Sequence, residues 1–98
     1  KLFSESLKIN PKDSETFLNR GSSYVRIEDY VNAEPDLKKA IKLDKTDVMG
    51  FYNLSIVYFR TDRSQEALKM CEKALEMDPN IQDIQRLYGY IKADLKIK

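Results

Sequence analysis

The sequence repeats itself with a period of 34 residues. Writing residues 14–47 above residues 48–81 aligns Phe17 with Phe51, Asn19 with Asn53, Tyr24 with Tyr58 and Ala33 with Ala67. The register continues without a gap through Ala40 and Ala74, Ile41 and Leu75, Leu43 and Met77, Asp44 and Asp78. It also extends outwards. Leu7, Ile9, Asn10 and Pro11 stand one period before Ile41, Leu43, Asp44 and Lys45, and Pro79 ends the last of these series. After Ile81, the run Ile84, Leu87, Tyr88, Ile91, Leu95 has the spacing of one more amphipathic helix. A unit of this length with two helical stripes cannot bury its apolar face alone, so neighbouring units must stack into a solenoid.

Helices are expected over roughly 1–9, 14–27, 30–43, 48–61, 64–77 and 82–96. Asp13, Asp29, Asp47 and Asp62 stand where an N-cap carboxylate would accept the first free amides, and Gln65 would complete a capping box after Asp62. Lys38, Lys39 and Lys42 crowd the C-terminal half of one helix, where positive charge suits the dipole, and read as a solvated face. Pro35 falls inside a predicted helix and removes the bond to the Val31 carbonyl. Either the helix bends there, or it begins nearer Asn32; a regulatory hinge is the remote alternative.

An aromatic, a Leu-Gly pair, a Tyr, an Ala, a bulky apolar residue, a second Ala and a Pro at fixed offsets within 34 residues characterise the tetratricopeptide repeat, which this chain resembles. Phe17, Gly21, Tyr24, Ala33, Leu37 and Ala40 supply the pattern in the first full copy. Phe51, Leu54, Tyr58, Ala67, Cys71, Ala74 and Pro79 supply it in the second. Arg20 replaces the Leu, Ser55 the Gly and Lys45 the Pro, none of which moves the register. The resemblance implies an all-α fold, a right-handed α-solenoid of antiparallel helix pairs with about six helices in one domain over 1–98. Residues 1–13 would be the second half of a preceding repeat, 14–47 and 48–81 full repeats, and 82–98 a C-terminal capping helix. Gln85 and Lys92 make the outer face of that helix polar at offsets where the copies carry Phe and Tyr. With no initiator methionine and a mid-pattern start, the chain is expected to be part of something longer.

Composition limits the chemistry. Seventeen basic and sixteen acidic residues leave a net charge of +1, too little to draw in nucleic acid or an anionic membrane. There is no histidine, which removes the commonest general base and metal ligand together. Cys71 is the single cysteine; it cannot form an internal disulfide and occupies a core offset, so it reads as a small buried hydrophobe. Asp44, Asp78, Glu72 and Glu76 read as solvated charge. The longest apolar stretch, 51–59, is too short to span a bilayer. No nucleophile–base pair, phosphate loop, metal cluster or cofactor fingerprint is present. The expectation is a non-enzyme without cofactor or metal, in the cytoplasm or facing the cytosol.

In the family, the first helix of each repeat lines a concave groove, and the resemblance implies that its exposed face meets the ligand. The corresponding residues are Glu15, Leu18, Asn19, Ser22, Val25 and Arg26 in the first copy, and Met49, Tyr52, Asn53, Ile56, Phe59 and Arg60 in the second. The last helix adds Asp83, Arg86 and Tyr90. Asn19 and Asn53 share one offset, where an amide can both donate to and accept from a peptide backbone. This is similar to the asparagine ladder of some peptide-binding members; the alternative is that each amide bonds to a neighbouring helix or to water. Leu18, Val25, Met49, Tyr52, Ile56 and Phe59 form either an apolar binding surface or packing under the second helices, which periodicity does not separate. Arg26 and Arg60 can meet acidic ligand side chains or stay solvated. Arg86 suits a carboxylate.

The chaperone-binding branch of the family grips a terminal carboxylate with a clamp of Lys and Asn side chains and one Arg. Asn53 and Arg86 match two of its positions, but Leu18, Ser22 and Asp83 stand where Lys, Asn and Lys are wanted, and an acid there repels the carboxylate. The expected function is a non-catalytic scaffold whose groove holds a protein or peptide. The alternative is a structural section of a longer solenoid, or a module that self-associates through exposed end helices.

Overall fold

The computed structural model describes residues 13–97. The helix expected over 1–9 lies outside them. Five helices follow: α1 (Ser14–Arg26), α2 (Tyr30–Leu43), α3 (Val48–Arg60), α4 (Ser64–Met77) and α5 (Gln82–Ile97). Each expected helix in this range is found within a residue or so of its expected ends.

Three of the expected caps form. Asp13 accepts from the Glu15 amide at 3.0 Å, Asp47 from the Met49 amide at 3.0 Å and Asp29 from the Asn32 amide at 3.3 Å. Asp62 does not cap α4; the N-cap is Arg63, with no side-chain capping bond. The reason lies in how α3 ends. The Arg63 amide reaches back to the Tyr58 carbonyl at 2.8 Å and the Asp62 amide to that of Phe59, so Asp62 is the left-handed residue of a Schellman turn, at φ 63°. The α1–α2 corner is built identically: Asp29 bonds back to Tyr24, and Glu28 takes φ 63°. The register pairs Asp29 with Arg63, so the capping acid has no counterpart at the second corner.

Pro35 is accommodated inside α2, which starts at Tyr30 under its Asp29 cap and not near Asn32. The missing amide would have bonded to Val31, which lies in an exposed part of the first turn where water can reach its carbonyl.

Small residues set the helix spacing. A Cβ on Gly21 would stand 2.8 Å from the Leu37 side chain, and Leu37 is fully buried. At the same offset in the second copy Ser55 is fully buried and donates to the Ala67 carbonyl at 2.8 Å. Ala33, Ala67, Leu37, Cys71, Ile84 and Ile91 are buried around these contacts, and Phe51, Leu54, Val57 and Tyr58 complete one continuous core. Burial lifts the Cys71 thiol to about 11, and its Sγ points at the Ile84 carbonyl at 3.5 Å, so it stays a protonated core group near neutral pH.

Within each pair the helices pack closely, and α1 also touches α3 as α3 touches α5, whereas α2 and α4 do not meet. The chain therefore curves as a solenoid of antiparallel pairs, with α1, α3 and α5 on the inner side. Its extents of 45 × 25 × 19 Å are those of an elongated body. Glu34 ties the two copies together: it takes a two-pronged contact from Arg63 at 2.6 and 3.1 Å and one from Lys38 at 2.9 Å. None of the described helices is long and apolar enough to cross a membrane.

Candidate functional site

A groove of about 330 Å³ runs across the inner side, within the size range of sites that hold a ligand. α1 contributes its last turn, with Val25 and Arg26. α3 contributes Tyr52, Ile56, Phe59 and Arg60, and α5 contributes Asp83, Arg86, Leu87 and Tyr90. Glu28 and Tyr30 close one side from the α1–α2 corner. Ile56, Phe59 and Val25 are only partly buried although they pack on the core, so they form an apolar floor that water still reaches.

Charge is confined to the rim. Arg60 donates Nε to the Tyr30 hydroxyl at 3.2 Å, and its Nη2 stands 4.0 Å from Glu28. Arg86 pairs with Asp83 on its own helix at 3.4 Å. Among the described residues Arg26 forms no ion pair. Burial, and then the negative charge of Asp83, raise the Tyr52 phenol above its usual range, with Arg86 opposing. Three guanidinium groups thus face two carboxylates around an apolar floor, and both carboxylates are already turned towards an arginine.

The sequence-expected residues divide in two. Arg26, Tyr52, Ile56, Phe59, Arg60, Arg86 and Tyr90 come together here, with Val25 and Asp83. Glu15, Leu18, Asn19, Ser22, Met49 and Asn53 lie on the same helices but outside this groove. Asn19 is exposed, whereas Asn53 is only 6% exposed and donates Nδ2 to the Met49 carbonyl one turn back at 3.0 Å. That bond uses one of the two Nδ2 hydrogens, and at this burial little of the amide is open to a peptide.

Sequence reasoning missed Glu28, Tyr30 and Leu87. Leu87 had a signal, because it stands one period after Asn53, so the asparagine series ends in an apolar residue. Glu28 and Tyr30 had none, since a corner turns towards the groove only through its backbone geometry.

Comparison with known proteins identifies the repeat. Two tetratricopeptide repeat family models match, one over residues 14–47 and one over 48–81. The chain is 32% identical over 82 residues to Hsp70-Hsp90 organizing protein 2 of Arabidopsis thaliana, covering 84% of this chain and 14% of that protein. It is 30% identical over 88 residues to serine/threonine-protein phosphatase 5 of Rattus norvegicus, covering 90% of this chain and 18% of that protein. It therefore spans less than a fifth of either relative. Among solved structures, the first TPR of Spaghetti (RPAP3) bound to HSP90 peptide SRMEEVD superposes with a TM-score of 0.92 at 23% identity, covering 96% of this chain and 75% of that one. YrrB, described as a TPR protein with an unusual peptide-binding site, superposes at 0.90 and 23% identity, covering 98% and 50%. The fold, the period and the matched models agree: the chain belongs to the tetratricopeptide repeat family.

Proposed function

We propose that this chain is a non-catalytic scaffold that seats a segment of a partner protein or peptide in the groove between α1, α3 and α5. The observation that carries the reading is the groove itself, an apolar floor on three successive helices ringed by Arg26, Arg60 and Arg86. A floor of this kind gains by losing water to an apolar side chain, and the ring of polar groups fixes orientation. Two relatives support it by name: one organises chaperones, and the RPAP3 structure contains a bound peptide.

The test is capture of partners from the source lysate by the wild-type domain and by an Arg60→Glu/Tyr90→Ala variant. Both residues are exposed at the groove, so the variant should keep its helical circular dichroism. Partners lost in the variant establish the groove; partners retained by both sink it.

A second reading, a structural section of a longer solenoid, draws on Gly89. This residue stands one period after Ser55 and two after Gly21, where the copies admit a second helix, yet a Cβ built on it would meet nothing within 4 Å. A helix seated there would make α5 the first half of a further pair, in place of the expected cap. Sedimentation that shows a monomer at all concentrations would remove self-association from this reading.

A further inference from the structure

The outer side of α5 carries a surface that does not involve the groove. We infer that it seats one amphipathic helix of a partner protein, with two basic residues one turn apart turned towards Glu72 and Glu76 of α4.

Gly89 marks the seat. At its offset in the first copy Gly21 lies against Leu37 of α2, and in the second Ser55 bonds to α4, whereas a Cβ on Gly89 would meet nothing within 4 Å. Next to it in the sequence, Tyr88 lines a hollow of about 510 Å³ between α4 and α5, together with Glu72, Leu75 and Glu76. Leu75 and Tyr88 are only partly covered although they pack on the core, so an apolar strip remains for a helix to bury. The strip is short. Gln85 and Lys92 stand where the second copy buries Phe51 and Tyr58, so the aromatic pair of a permanently packed helix is missing, which suits a partner that docks and leaves.

Charge decides which helix fits. Glu72 and Glu76 are exposed on one face of α4, and among the described residues neither takes part in an ion pair or a hydrogen bond. One period earlier the same offsets hold Lys38 and Lys42. A purely apolar helix would strip water from both carboxylates without replacing it, and an acidic one would be repelled. A basic one avoids both costs. The molecule already uses this form of contact, for Arg63 at the start of α4 reaches back to Glu34 of α2 at 2.6 and 3.1 Å. A helix laid antiparallel on α5 runs parallel to α4, and side chains four residues apart on it rise by the same ~6 Å that separates Glu72 from Glu76. Lys92 opposes a basic helix, its ammonium 5.2 Å from the centre of the Tyr88 ring.

The test uses three helix-stabilised peptides of about 15 residues that share one leucine stripe and carry beside it two Lys, two Gln or two Glu, four residues apart. They are titrated at low salt into the isotope-labelled protein and followed by its amide resonances. The lysine peptide should bind best, about fivefold more tightly than the glutamine one, and should shift Tyr88 and Gly89 but not Ile56 and Phe59. Glu72→Gln/Glu76→Gln should erase the preference, Lys92→Gln should tighten the lysine peptide and Gly89→Leu should weaken all three, each with unchanged helical circular dichroism. Equal binding of the three peptides, binding undiminished by Gly89→Leu, or no binding at all would overturn the inference. Shifts confined to Ile56 and Phe59 would overturn it as well, and leave the groove reading standing.

Discussion

Arg20 lays its guanidinium flat against the carboxylate of Asp36 across the α1–α2 interface, Nε to Oδ2 at 2.7 Å and Nη2 to Oδ1 at 2.8 Å. Asp36 keeps only 7% of its side chain exposed and Arg20 28%. The hydrogen bonds that Asp36 accepts raise the Arg20 pKa further. One period on, the same two positions hold Leu54 and Met70, so an ion pair in the first copy does the packing work of an apolar pair in the second. Restoring the family's Leu by Arg20→Leu alone leaves a buried carboxylate without a partner, and stability should fall by about 3 kcal/mol. The double change Arg20→Leu/Asp36→Met copies the second repeat and should be neutral or stabilising. Urea denaturation of the four members of the cycle decides it; an Arg20→Leu protein as stable as wild type would show that the pair contributes nothing.

Glu34 supplies a pH dependence with a definite sign. The hydrogen bonds from Arg63, with the contribution of Lys38, lower its carboxyl from 4.5 to about 2. A carboxylate depressed in the folded state adds stability above its unfolded pKa and loses it as pH falls through the folded one. The stability difference between wild type and Glu34→Gln should therefore be constant above about pH 5 and shrink towards pH 2. Arg63 is more than a third exposed, so screening limits the difference to about 1 kcal/mol. Denaturant titrations of both proteins at several pH values provide the check, and parallel curves across that window would remove Glu34 as the titrating group.

The fold was legible because the 34-residue period fixes where each small residue and each bulky one must fall, and packing follows from that alone. The cap at Asp62 was misread because an acid before a helix has the same appearance whether it caps that helix or closes the previous one; the φ of 63° decides, and it is set by the Schellman bonds. In the groove, the residues at later offsets of α3, Ile56, Phe59 and Arg60, could be read from their position on the helix. Glu28 and Tyr30 could not, being brought in by the corner. Asn53 shows the opposite limit, since its sequence offset is shared with Asn19 while its burial and its bond to Met49 are not readable from spacing.

The glycines should respond in opposite directions. At Gly21 an added methyl would lie 2.8 Å from the fully buried Leu37, which has no free space to yield, so Gly21→Ala should destabilise by about 1–3 kcal/mol. At Gly89 the same methyl meets nothing, and replacing a mid-helix glycine by alanine should stabilise by about 0.5–1 kcal/mol. Thermal melts of the two variants test the pair together. A Gly89→Ala protein that melts lower than wild type would mean that the α5 surface is not as open as its geometry shows.

Glu28 links stability to binding. Its backbone is held at φ 63°, a conformation that a side chain with a Cβ adopts at a cost of about 1–2 kcal/mol and that glycine adopts freely. Its carboxylate gives little in return, for it is largely exposed and 4.0 Å from Arg60. Glu28→Gly should thus raise the melting temperature, by an amount worth up to about 1 kcal/mol after the added flexibility of the unfolded chain is counted. The same change removes the acid that stands nearest Arg60 in the groove, so an acidic peptide from a partner captured by the groove should bind the variant more tightly than wild type. Calorimetric titration against one such peptide separates the effects: greater stability with unchanged affinity would confine Glu28 to the turn, and weaker binding would mean that its carboxylate orients Arg60 for the ligand instead of competing with it.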